Sequence, residues 1–202
     1  MKKIVLLLSC CLSGINSICQ NAPIAIIPEP VQLVQNIGTF VLPATISIEL
    51  PNLPALKQTA DFLQQRLTKA TGYAVSIGSN VPTAIIKLSL NKTPNQGIGN
   101  EGYQLNVTTS DITITANQPA GLFYGVQTLL QLLPKEIESN VTMQQVQWQM
   151  PCVSITDYPR FGWRGLMFDV SRRFFTKNEV KDFIDQMARY KYNLFHWHLT
   201  DD

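Results

Sequence analysis

Two short stretches near the carboxyl end of this 202-residue chain carry the side chains best suited to chemistry. In the first, a nearly continuous apolar run from Trp163 to Val170 ends in Asp169, Ser171, Arg172 and Arg173. In the second, the run Asn193 to Leu199 holds His196 and His198 and ends in Asp201 and Asp202. A guanidinium presents a fork of N–H donors and a carboxylate presents acceptor oxygens, while a sugar hydroxyl offers one donor and two lone pairs. An arginine beside an aspartate can therefore hold two neighbouring hydroxyls at once. A structural ion pair between Arg172 and Asp201 at a strand rim is the competing reading of the same spacing. His196 and His198 share one face of a strand, a pattern that serves zinc when later strands supply more ligands. Packed histidines, each hydrogen-bonded to a neighbour, are the simpler reading, and Trp197 between them reads as core.

These side chains need elements that bring them to one place. Thr176-Lys-Asn-Glu179 has the form of a capping box, in which a threonine hydroxyl and a glutamate three residues on satisfy each other's backbone N–H groups. The helix it opens is predicted to bury Val180, Phe183, Ile184, Met187 and Tyr190. Its acids fall early and Arg189 and Lys191 late, as the helix dipole favours. Strand, helix and strand make one β-α-β unit, so the two strands are expected to run parallel with a right-handed crossover. Their apolar character predicts burial on both faces. Both carboxyl ends then lie on the same rim, which is where functional side chains gather in parallel α/β folds.

The upstream region has a different pattern. Phe40-Val-Leu42 and Thr45 to Leu50 read as short strands, and Leu56, Ala60, Leu63, Leu67 and Ala70 recur at helical spacing before Gly72. Ala84 to Leu90 reads as a strand. Tyr103 to Val107 and Ile112 to Thr115 alternate apolar and polar around the turn Thr109-Ser-Asp111, as a half-buried antiparallel hairpin does. A second helix after Pro119 places Leu122, Val126, Leu129, Leu130 and Leu133 on one face, and Pro134 ends it. The fold class is α+β, with a sheet covered by helices on one face, over about residues 22–150. Nothing in that region looks catalytic, and both histidines of the chain lie outside it.

Composition narrows the function classes. The chain is 45% hydrophobic and 15% charged, as a globular protein is, and Lys2 and Lys3 account for its net charge of +2. A balanced remainder gives no support to a nucleic-acid or anionic-membrane partner. Residues 1–19 read as a signal peptide, with Lys2-Lys3 as its basic start and Ser17 and Cys19 as small residues before cleavage. An acylated Cys10 after Leu7-Leu-Ser9 is the alternative, and either implies export. The apolar run is too short to span a membrane. Cys10, Cys11 and Cys19 leave with the leader, so Cys152 has no disulfide partner. Sequons at Asn91, Asn106 and Asn140 matter only in a glycosylating pathway.

The run Trp163-Arg-Gly-Leu-Met-Phe-Asp169-Val-Ser-Arg172, followed by Asn193-Leu-Phe-His-Trp-His-Leu-Thr-Asp201-Asp202, resembles the first two barrel strands of family 20 β-N-acetylhexosaminidases. Pro28-Glu-Pro-Val31, Glu101-Gly-Tyr103, Gly121-Leu-Phe-Tyr-Gly125 and Thr128 to Leu133 resemble that family's accessory domain. The resemblance implies an accessory domain over 22–150, followed over 153–202 by the start of a (β/α)8 barrel. It implies that Arg172 binds hydroxyls 3 and 4 of a terminal sugar and that Asp201 shares this recognition. It makes His198, Asp202 and Asp169 a supporting shell and Arg164 structural. Arg173 stands where the family often has histidine.

The implied reaction is retaining and substrate-assisted. The 2-acetamido oxygen of the sugar attacks the anomeric carbon, a glutamate protonates the leaving oxygen, and an adjacent aspartate orients the acetamide. That pair is expected two strands beyond Asp202, so no catalytic residue, cofactor or metal is assigned within this chain, and the chain alone is expected to be inactive. The implied partner is a glycan ending in β-linked N-acetylglucosamine or N-acetylgalactosamine. Residues 153–202 are predicted not to pack alone, because one β-α-β unit leaves two unpaired strand edges. Two other readings use the same residues: a non-catalytic sugar-binding protein, and a metal-dependent barrel hydrolase built on His196 and His198.

Overall fold

The computed structural model describes residues 24–81 and 83–200. The predicted leader at 1–19, with Cys10, Cys11 and Cys19, lies outside the described residues, as do Asp201 and Asp202. Among the described residues, no helix is long and apolar enough to cross a membrane.

The elements of the first unit are β1 (Gln32–Val41), β2 (Thr45–Glu49), α1 (Pro54–Thr71), β3 (Ala74–Gly78), β4 (Ile86–Leu90), β5 (Tyr103–Val107), β6 (Ile112–Ala116), α2 (Pro119–Leu132) and β7 (Gln149–Asp157). They form a seven-stranded mixed sheet in the order β1-β7-β5-β6-β4-β2-β3. The predicted hairpin is there, with Leu105 opposite Ile114 in an antiparallel β5–β6 pair. Alternation decides which face is covered. Tyr103, Leu105, Val107, Ile112, Ile114 and Ala116 are buried, while Gln104 and Asn106 face solvent.

Both helices lie on the covered face. Helix α1 buries Leu56, Ala60, Leu63, Leu67 and Ala70, as its periodicity predicts, and ends on Gly72 in the left-handed conformation at φ 72°. A residue without Cβ adopts that angle at little cost. Helix α2 comes still closer to the sheet. A Cβ on Gly125 would stand 2.5 Å from Ile114 Cγ2, and one on Gly121 would run into the Gly102 carbonyl oxygen.

The first unit does not stop at 150. Strand β7 pairs with β1 and β5 through Thr156 and Asp157, so its sheet closes only when residues 151–157 are included. The predicted boundary near 150–153 is corrected accordingly: sheet hydrogen bonding runs straight through it.

The second unit is β8 (Gly165–Asp169), α3 (Lys177–Arg189) and β9 (Leu194–His198), with β8 and β9 parallel. The capping box forms as predicted: Thr176 N donates to Glu179 Oε2 at 2.7 Å and Glu179 N to Thr176 Oγ1 at 3.3 Å. Burial departs from expectation. Neither strand has a fully buried residue, Ile184 and Tyr190 are exposed, and Trp197 is 47% exposed rather than core. Two strands with one helix against them cover a single face. On that face Phe168 meets Phe175, Phe183 and Phe195 at centroid distances of 4.5, 4.5 and 6.5 Å.

The contact between α2 and the sheet sets a stability test. Gly121→Ala is expected to cost about 1–3 kcal/mol, because overpacking there meets backbone that cannot retreat. Gly162→Ala, where nothing lies within 4 Å of the added methyl, should change little. Urea unfolding followed by circular dichroism reads both.

Candidate functional site

The site grows from the carboxyl ends of β8 and β9. Their parallel register sets Met167 beside His196 and Asp169 beside His198. Successive side chains on a strand alternate in direction, so Met167, Asp169, His196 and His198 share the face opposite the phenylalanine cluster. Trp197 falls on the other face with Phe195, 5.9 Å away between ring centroids, and so is directed away from the Asp169 side.

Asp169 is the hub. Its Oδ1 accepts from Ser171 N at 3.0 Å, Ser171 Oγ at 2.9 Å and Arg172 N at 3.3 Å, which folds the chain sharply at the strand end. The same oxygen lies 3.4 Å from His198 Nδ1, and Oδ2 lies 3.5 Å from Arg172 Nη1. Donors on several sides favour the ionised carboxylate. The Ser171 hydroxyl does most, with the Ser171 and Arg172 amides and His198 adding to it, and together they hold the Asp169 pKa below its ordinary value.

Arg172 therefore leaves the strand end beside a carboxylate, with its side chain 76% exposed at the rim. Asp169, Arg172 and His198 are brought together. His196 follows on the same face, its ring 6.5 Å from that of His198. Asp201 and Asp202 lie outside the described residues. Among the described residues, no group of three His, Cys, Asp or Glu side chains could hold a metal ion, so none of them adds a third ligand to the two histidines.

Sequence reasoning missed two things here. The Ser171 hydroxyl clamps Asp169, which its spacing two residues on could have suggested as a side-chain-to-backbone turn. A polar network at the opposite ends of the strands, around Glu101, Asp157, Arg164 and Lys191, had no local signal, because its members are far apart in the chain.

Residues 23–158 match the model for glycosyl hydrolase family 20, domain 2, and residues 161–202 match that of the family 20 catalytic domain. The chain is 35% identical to a beta-hexosaminidase of Porphyromonas gingivalis, over 96% of this chain and 26% of that protein. It is 33% identical to a beta-N-acetylhexosaminidase of Cellulomonas fimi, over 89% and 35%. Among solved structures, the N-acetyl-beta-hexosaminidase of Streptomyces plicatus superposes with a TM-score of 0.80 at 39% identity, covering 87% of this chain and 34% of that one. The chain thus spans about a quarter to a third of the length of these relatives.

The Asp169 hub can be tested by titration. Ser171→Ala removes the strongest support of the carboxylate, so the Asp169 midpoint should rise toward the ordinary aspartate value in an NMR titration of its carboxyl carbon. Its folded-state pKa is depressed. The stability it contributes is thus present above the unfolded-state pKa and lost as pH falls through the folded-state value. A midpoint unmoved by the substitution would remove Ser171 from this role.

Proposed function

The chain belongs to glycosyl hydrolase family 20, and from that premise we propose that the protein containing it is an exo-acting β-N-acetylhexosaminidase. It removes terminal N-acetylglucosamine or N-acetylgalactosamine from glycans by retaining, substrate-assisted hydrolysis. The relatives that carry such names support this reading, and so does the rim itself. The observation that carries it furthest is the placement of Arg172. Its guanidinium stands in solvent at the end of a parallel strand pair, with Asp169 and His198 beneath it.

In this reading the Arg172 fork donates to hydroxyls 3 and 4 of the terminal sugar, and Asp201 accepts from the same pair. Two directed contacts to vicinal alcohols fix the ring. The sugar's own acetamide then serves as nucleophile, with an Asp-Glu pair from strands outside this chain supplying acid catalysis and orientation. Asp169, held ionised, keeps Arg172 from collapsing onto the strand, and His198 and Asp202 complete the support. The half-exposed apolar faces of β8 and β9 are consistent with further barrel strands beside them. The export reading rests on the leader alone.

The test uses the complete protein that contains this chain, with release of 4-nitrophenol from its N-acetyl-β-glucosaminide as readout. Arg172→Met and Asp201→Asn should each lower kcat/KM about a hundredfold or more, the size expected when charged hydrogen bonds to substrate are lost. The 202-residue chain alone should release nothing. Full turnover in either variant would contradict the assignment.

A further inference from the structure

We propose that Arg164 and Lys191 are positioning residues: they seat the amino ends of β8 and β9 in two polar sockets of the sheet unit, and so set where Arg172 stands at the opposite ends. The proposal rests on the functional reading above for what Arg172 does, but not for the sockets themselves.

The first socket receives Arg164, the residue just before β8. Each of its five guanidinium N–H groups has an acceptor. Nη1 and Nη2 grip Glu101 at 3.1 and 2.9 Å as a fork on a carboxylate. Nη1 also donates to the Phe161 carbonyl at 2.7 Å and Nη2 to the Tyr124 hydroxyl at 3.2 Å. Nε donates to the Lys191 carbonyl at 2.8 Å, which ties the first socket to the second. Asn193, just before β9, closes the arrangement. Its amide donates to Glu101 Oε1 at 3.3 Å and to the Gly162 carbonyl at 2.8 Å, while its oxygen accepts from Arg164 N at 3.0 Å.

The second socket receives Lys191, in the turn between α3 and β9. Its ammonium donates to Asp157 Oδ2 at 2.7 Å and to the Tyr103 hydroxyl at 2.8 Å, and sits 4.8 Å from the centre of the Tyr103 ring. The Tyr103 hydroxyl donates to Asp157 at 2.9 Å and lies 2.6 Å from Thr128 Oγ1. Burial pushes the Tyr103 pKa far up, so it stays a donor. Lys191 is only 7% exposed, and its left-handed backbone at φ 62° closes α3, with Lys191 N donating to the Ala188 carbonyl at 3.1 Å and Tyr192 N to that of Met187 at 2.9 Å.

These contacts matter because of what the strands lack. Among the described residues, β8 and β9 pair only with each other. Ladder hydrogen bonds fix their mutual register but not their tilt against the rest of the protein. The sockets do that at one end. From Gly165 to Asp169 the strand is five residues long, about 17 Å at roughly 3.3 Å per residue. Tilting such a short, stiff lever at its foot moves the Asp169–Arg172 turn at its head. Of the residues that meet in the sockets, Glu101, Tyr103, Tyr124, Thr128, Arg164 and Asn193 lie in segments that carry the family resemblance, and Asp157 and Lys191 do not.

The test compares Lys191→Met, which keeps the stem and removes the charge, with Lys191→Arg as the conservative rescue and Tyr103→Phe as a milder lesion. In the complete protein that contains this chain, hydrogen exchange of the β8 and β9 amides should speed up about tenfold in Lys191→Met, with β5 and β6 within about twofold of the original. In the complete protein, KM for the aryl N-acetylglucosaminide should rise about tenfold with kcat within about threefold, the mark of weakened ground-state grip. Lys191→Arg should recover most of both, and Tyr103→Phe should shift both in the same direction by less. Unchanged exchange in β8 and β9, loss of protection spread equally over β5 and β6, or a fall in kcat with KM unmoved would overturn the proposal. If the unaltered complete protein turns over no N-acetylhexosaminide, the functional reading fails, while the exchange experiment still decides the sockets.

Discussion

A five-residue parallel ladder sets Asp169 opposite His198, and the chemistry at the rim depends on that register. Parallel strands deliver their carboxyl ends to the same side, so the residues that follow each strand become neighbours without any contact in sequence. Slipping β9 by one residue would turn His196 and His198 to the helix-covered face and put Phe195 and Trp197 at the site. The phenylalanine cluster around Phe168 opposes such a slip, because Phe195 would leave it for solvent. Apolar packing on one face therefore holds polar groups in place on the other.

The two ends of the strands use charge differently. At the rim, Asp169 meets an Arg172 whose side chain is 76% exposed, and an ion pair so open to water on one side contributes little to stability. At the foot, Lys191 and Asp157 meet in a nearly dry socket with side chains 9% and 10% exposed. A buried pair is costly to break, since removing one partner strands the other. The anchored end is buried and the rim is wet. Glu138 adds a third tie, receiving Arg66 from α1 and Arg189 from α3.

The helices were readable because their faces repeat within a few residues: Leu56 to Ala70 and Leu122 to Leu133 carry their burial in their spacing. The hairpin at Tyr103 to Ala116 was readable for the same reason. Strand β7 was not assigned to the sheet, because its partners lie more than a hundred residues earlier in β1 and nearly fifty earlier in β5. Strand β1 was read only at Phe40 to Leu42, since its register shifts between Gln35 and Thr39 and the alternation breaks there. At the site, Asp169 and Arg172 are legible from the strand end, while the place of His198 beside them comes only with the family resemblance. The sockets were invisible, since Lys191 reaches across 34 residues to Asp157 and 88 to Tyr103. An apolar run does not say which of its faces will be covered, so Trp197 reads as core in the sequence and is 47% exposed in the fold.

A crystal structure of the complete protein with N-acetylglucosamine bound measures the central claim most directly. The two terminal nitrogens of Arg172 should lie about 2.7–3.2 Å from adjacent hydroxyl oxygens of the sugar, with an Asp201 oxygen on the same pair. A sugar bound with the Arg172 fork turned wholly onto Asp169, and no contact from Asp201, would contradict it.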